Sequence, residues 1–169
     1  MSQLLTQKRA RYALEVIQRV KDSQDKKAAA AFGRHVRRLP EMVQHNGLGQ
    51  ALAFLLADDA GGINGKADSN GRWSAKEHTV TPAGRAYWDL ETWLCGPREP
   101  ERHPRRVYPQ EPFYREVGTG RDKKGSWQAQ LITQVMAADR QQYFEAQQEA
   151  LALLHWMKRF ADAYLPKED

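Results

Sequence analysis

The chain has 169 residues and a mass of 19.4 kDa, enough to bury one core and short for two domains. Its longest unbroken apolar run, residues 51 to 57, is far too short to cross a bilayer. A lone cysteine, Cys95, excludes an internal disulfide framework and fits a reducing cytoplasm, while a net charge of +5 and a pI near 9.4 favour anionic partners.

The opening MSQLLTQKRAR carries no apolar signal region, so a cytoplasmic protein with no membrane partner is expected. The positive charge is not evenly spread. Residues 1–46 hold 10 Lys/Arg against 4 Asp/Glu, and residues 97–125 hold 8 against 5; the other two stretches are each net negative. A polyanion site would leave such a footprint, and so would a solvated basic face without a partner.

The first helix is predicted from about Gln3 to Lys21, with Tyr12, Ala13, Val16, Ile17 and Val20 on one face and Lys8, Arg11, Glu15 and Gln18 on the other. The second begins at Asp25, a good N-cap, and runs to about Arg38. Its buried stripe is Ala29, Phe32, Val36, Leu39 and Val43. Lys27, Arg34 and Arg38 fall opposite that stripe, flanked by Lys26 and Arg37, and no acid interrupts them between Lys26 and Arg38. This is a candidate phosphate-binding ridge.

Residues 37 to 56, RRLPEMVQHNGLGQALAFLL, form a helical corner. Pro40 lacks an N–H and disfavours helix at Leu39, so a kink or restart is expected there. Asn46-Gly47 reads as a helix end, with Gly47 supplying a left-handed residue. A short helix follows, with Leu48, Ala51, Leu52, Leu55 and Leu56 inward and Phe54 beside them.

Residues 58–72 are loop by composition, rich in Gly, Asn and Asp. Thr81-Pro82 starts a helix that carries Tyr87, Leu90, Trp93 and Leu94 and stops at Gly96-Pro97. The Pro/Arg-rich stretch 97–125 is too polar for core and too long for an ordinary connection, so it reads as a loop insertion. Two more helices are expected, one from near Trp127 and one from Arg140 to about Tyr164, the latter with Asp139 and Gln142 as a capping box. Apolar residues cover roughly 240° of that final helix. It is either the central core helix or partly an interface with another subunit, and both can hold along its length.

No strand pattern and no internal repeat appear. The predicted fold is all-α, a single domain over 1–169 built as a compact bundle of about six helices, with a Gly/Asn loop and a Pro/Arg-rich loop.

The residues offer little sign of catalysis. The five histidines (35, 45, 78, 103 and 155) show no metal-ligand spacing to one another or to Cys95, so no metal and no cofactor is expected. GGINGK (61–66) lacks the strand and the Ser/Thr of a phosphate loop. Two other readings stay open: a metal-dependent nuclease using Asp58 and Asp59 near His45, and a winged-helix DNA-binding regulator, suggested by TVTPAGRAYWDLE (79–91). The second needs a β-hairpin before Thr81, and WSAKEHTV (73–80) is a poor strand.

QKRARYALEVIQRV near the start, GRHVRRLPEMVQHNGLGQALAFLLA at the corner and EALALLHWMKRFADAYL at the end, with AYWDLETWL (86–94) between, occur in an order and spacing that resemble the small α-helical subunit of the type III-B CRISPR effector, the Cmr complex. The resemblance covers roughly 1–57 and 127–165, is partial over 81–95 and absent over 97–125. It implies a non-catalytic antiviral-defence role. Copies would stack along a ribonucleoprotein built on a guide RNA, beside the backbone subunits and in contact with the large subunit. There they would help hold the guide–target RNA duplex.

On that reading Lys27, Arg34, Arg37 and Arg38 are the first candidates for phosphate contacts, with Lys8, Arg9, Arg11, Lys158 and Arg159 behind them. Trp156, Phe160 and Tyr164 are the candidates for contacts between subunits. No residue is assigned a catalytic role.

Overall fold

The computed structural model describes residues 4–23, 25–59, 66–67, 73–74, 81–96 and 130–168. Six helices account for nearly all of them: α1 (Leu5–Asp22), α2 (Lys26–Asn46), α3 (Leu48–Asp59), α4 (Pro82–Cys95), α5 (Gln130–Ala137) and α6 (Arg140–Tyr164). The all-α expectation holds. The 97–125 segment and the Trp127 start lie outside the described residues.

One feature departs from the sequence reading. Strands β1 (Lys66–Ala67) and β2 (Trp73–Ser74) pair antiparallel inside and just beyond the stretch read as loop. Each is two residues long, so the pair is a short antiparallel ladder.

The helix starts follow from local chemistry. The Asp25 side chain accepts from Ala28 N–H, the Thr81 side chain from Gly84 N–H, and the Asp139 side chain from Gln142 N–H. Gln142 returns the bond to Asp139 N–H, completing the expected capping box. Pro82 sits in the first turn of α4, where a missing N–H costs nothing.

The Pro40 restart does not occur: α2 continues through it to Asn46. Proline inside a helix removes the bond to the fourth carbonyl back and costs about 3 kcal/mol. Here the stripe it would have broken is buried on both sides of it. Phe32, Val36, Leu39 and Val43 are all at most 1% exposed, so packing overrides the local preference. Gly47 does end α2, at φ +84°, and its N–H reaches Val43 O at 2.9 Å. A side chain there would be strained, and its Cβ would also meet the Tyr143 hydroxyl at 2.7 Å.

α3 follows after a single residue and has no capping side chain of its own. α6 supplies the partners instead. Gln147 Oε1 accepts from Leu48 N–H at 3.0 Å, and the Tyr143 hydroxyl accepts from Gly49 N–H at 3.0 Å.

α6 packs against both α1 and α2; α2 in turn meets α3 and α4, which pack on each other, and α5 closes over α3 and α4. The core draws on all six helices. Tyr12 and Trp93 lie at its centre with ring centroids 4.9 Å apart, and the Tyr12 hydroxyl donates to Asp89 O at 2.7 Å. The breadth of apolar surface on α6 is largely explained by this central position: Ala146, Ala150, Leu151, Leu153, Leu154, Met157 and Ala161 are buried. Phe144 remains exposed, as does Tyr164 to a lesser degree.

Candidate nucleic-acid interface

α2 divides as its sequence pattern requires. The apolar stripe faces the core, while Lys26, Lys27, Arg34 and Arg38 are exposed on the opposite side. Lys27 and Arg38 have no carboxylate partner among the described residues. Arg34 donates from Nη1 to Glu168 Oε2 at 2.8 Å, with both side chains solvent-exposed. A pair of that kind contributes about 0.2–1 kcal/mol, little enough for a phosphate to displace it.

Arg37 does a different job. Its Nε donates to Asp162 Oδ1 at 2.8 Å, and its Nη2 donates to Ala161 O at 2.9 Å and Leu165 O at 3.2 Å. Both carbonyls lie at the α6 C-terminus, where backbone N–H donors run out; Ala161 O also accepts from Leu165 N–H at 3.0 Å. Arg37 therefore fastens α6 to α2.

Arg9 is likewise occupied inside the fold. It forms a two-pronged pair with Glu149, at 2.9 and 2.5 Å, and Glu149 also accepts from the Trp93 indole N–H at 2.9 Å. One carboxylate thus joins α1, α4 and α6. The partners lie 140 and 56 positions from it, beyond the reach of any local pattern.

The remaining candidates are spread over other faces. Arg11 pairs loosely with Glu15 at 3.6 Å, Lys8 is half-buried on α1, and Lys158 is half-buried on α6. The Arg159 guanidinium sits 5.6 Å from the Trp156 ring centroid. That ring begins a line along α6: Trp156 stacks on Phe160 at 5.7 Å, Phe160 tilts toward Tyr164 at 6.4 Å, and the Lys21 ammonium lies 5.4 Å from the Tyr164 centroid. Trp156 and Phe160 are half-buried against the core.

His35 links the ridge to α3. Its Nε2 is 3.3 Å from Asp58 Oδ2, and its ring centroid is 6.4 Å from that of Phe54. The residue is buried on the α2 side of the contact, and the sequence reading did not single it out. Asp58 therefore engages His35. Asp59 is 2% exposed and accepts from Thr81 N–H at 3.1 Å and the Thr81 hydroxyl at 2.5 Å, helping to fix the start of α4. The carboxylate pair weighed for a nuclease thus has structural roles on both members. Among the described residues no group of three His, Cys, Asp or Glu could hold a metal ion. Nor is any described helix long and apolar enough to cross a membrane.

Burial pushes the His35 pKa below its ordinary 6.5, aided by the charges of Arg34 and Arg38 and opposed by Asp58 and Glu168. Burial alone would raise Glu149, but the Arg9 and Trp93 hydrogen bonds and the Arg9 charge outweigh it and hold the pKa below the ordinary 4.5. Both shifts act in the same direction on stability. The fold prefers neutral His35, so its contribution is complete above pH 6.5 and is lost as the pH falls below that value. Glu149 adds a second loss below pH 4.5. Urea unfolding across this range should show stability declining in two stages, and His35→Asn should remove the upper one.

Six packed helices with an exposed cationic face and a line of half-buried aromatics suit a small helical binding subunit. The family model described as CRISPR-associated protein (Cas_Cmr5) matches residues 5–164, and the chain belongs to that family. It is thus a subunit of the Cmr (type III-B) CRISPR effector complex, which contains other subunits besides, and its family is generally a structural component of that complex. A crystal structure of a CRISPR-associated Cmr5 family protein from Thermus thermophilus is similar in fold, with a TM-score of 0.56 and 22% identity. The match covers 97% of this chain and 100% of that one.

Proposed function

We propose that the chain is a non-catalytic, RNA-contacting subunit that stacks in several copies along the effector complex. It helps hold the guide–target RNA duplex there, beside the backbone and large subunits. The observation that carries this reading is the outer face of α2, where Lys27, Arg34 and Arg38 are exposed with no acid between Lys26 and Arg38 in the chain. Cations so arranged bind phosphate without regard to sequence, while base pairing supplies the choice of target. Arg9 and Arg37 are occupied within the fold, so the proposal rests first on Lys27, Arg34 and Arg38. Lys8, Arg11, Lys158 and Arg159 stand as outlying contacts.

Trp156, Phe160 and Tyr164 form the proposed contact between subunits. Their continuous, partly exposed ring surface supports that role.

The test is Arg34→Glu with Arg38→Glu in the assembled complex. The double variant should fold normally, since both side chains point to solvent, and should retain target RNA less well. Each phosphate contact removed should lower the salt slope of binding by about 0.7–0.9. Unchanged retention across a salt series would remove the ridge from the function. Incubating the purified protein with RNA and divalent metal should give no cleavage; cleavage would restore the nuclease reading.

A further inference from the structure

α3 turns Leu48, Ala51, Leu52 and Leu55 into the core and leaves Gln50, Ala53, Phe54 and Ala57 exposed. Phe54 is 42% exposed. A single exposed aromatic is ordinary on a protein surface. This one differs in its neighbours. Its ring lies beside the His35 imidazole, which is bracketed on α2 by Arg34 one residue before and Arg38 three residues after. Both arginines are solvent-exposed, while His35 between them is buried. On its own helix the ring is flanked by the small side chains of Ala53 and Ala57, which leave its surroundings low and apolar. A π-face set beside cations that point to solvent is the arrangement by which proteins hold single-stranded nucleic acid. The ring takes a base, and the cations take the adjoining phosphates.

From this placement we infer that Phe54 is a stacking platform for one unpaired nucleobase of an RNA strand, with Arg38 on the flanking phosphate. Arg34 joins it when it leaves Glu168. The inference deepens the RNA-contacting reading and rests on it. Asp58, paired with His35 on the α3 side, repels phosphate and so directs the backbone toward Arg38. A base inside a duplex has both faces covered by its neighbours, so the nucleotide held here is unpaired or at a strand end. The ridge proposed for the duplex therefore adjoins a point where pairing is interrupted.

The experiment measures binding of a fluorescein-labelled single-stranded RNA oligonucleotide, and of a duplex of equal length, to the purified full chain at low salt. Wild type, Phe54→Leu, Phe54→Trp and Arg38→Glu are compared, with circular dichroism to confirm that each is folded. Phe54→Leu should weaken single-strand binding by about 5-fold or more. Phe54→Trp should keep it, and the duplex should respond much less to either change. Arg38→Glu should weaken both.

Equal single-strand affinity for Phe54→Leu and wild type overturns the platform. So does an equal loss in Phe54→Trp, or an equal loss on the duplex. If Arg38→Glu weakens binding while Phe54→Leu does not, the ridge stands and the platform falls. If wild type binds neither RNA, or neither Phe54→Leu nor Arg38→Glu changes binding, the platform falls, while the ridge is judged by target retention in the assembled complex. Should Phe54→Leu release another subunit from the assembled complex with RNA affinity intact, the surface belongs to a protein partner and the platform is again overturned.

Discussion

Gly84→Ala is expected to destabilise the protein by about 2–4 kcal/mol, against the usual rule that alanine improves a helix. Helix propensity alone would favour alanine by about 1 kcal/mol. A Cβ at this position, however, would lie 2.8 Å from Asp59 Oδ2 and closer still to Oδ1 and Cγ. That carboxylate is buried and holds both the N–H and the hydroxyl of Thr81, the cap of the same helix. It cannot move aside without giving up those bonds. The methyl group therefore costs both overpacking and the loss of a buried acceptor's partners. Thermal unfolding should register a fall of about 5–15 °C for a chain of this length. Gly33→Ala is the comparison. There the Cβ would meet the Arg37 guanidinium, 2.9 Å from Nη1, so its cost would come through the Arg37 bonds to α6 and not through the Asp59 carboxylate. Equal melting temperatures for Gly84→Ala and wild type would mean that Asp59 does not hold the position described.

Trp93→Ala should cost still more, about 3–5 kcal/mol. The indole is 1% exposed, lies against Tyr12, and gives its N–H to Glu149. Removing it opens a large cavity where α1, α4 and α6 meet. It also leaves the part-buried Glu149 with Arg9 as its remaining side-chain donor. Trp93→Phe separates the two effects, since it keeps most of the ring and loses the donor. Its cost should be about 1 kcal/mol for the hydrogen bond, with a further loss for the smaller volume. Urea denaturation of the pair measures both. If Trp93→Phe were as damaging as Trp93→Ala, the hydrogen bond would dominate and the packing account would be wrong.

The elements that could be read from the sequence are those whose cause is local. Asp25, Thr81 and Asp139 cap the helices that follow them because a short polar side chain meets an N–H two or three residues on. Gly47 and Gly96 stop helices because both take φ near +84°, which other residues avoid. The buried stripes of α1, α2, α3 and α4 follow from helical spacing. Pro40 went the other way because its cost is local while the compensation comes from side chains on several other helices.

The candidate ridge shows the same limit. Arg34, Arg37 and Arg38 are alike as letters in a basic run. Arg37 is held at the end of α6 by three bonds to partners 124 to 128 positions away, whereas Arg34 makes one exposed pair with Glu168. Arg9 looked like another surface cation for the same reason. His35 gave no signal at all, because Asp58 lies on a different helix and Phe54 reads simply as one more apolar residue of α3.

The borrowed caps of α3 bear on how the chain reaches its folded state. Leu48 and Gly49 wait on Gln147 and Tyr143, 99 and 94 positions further along. Until α6 has left the ribosome, α3 begins with open N–H groups and α1 has no partner for the face that α6 will cover. Closing such long loops is entropically slow for a helical protein. Assembly should therefore be a late, concerted event, with nascent chains that stop short of residue 143 remaining sensitive to proteases.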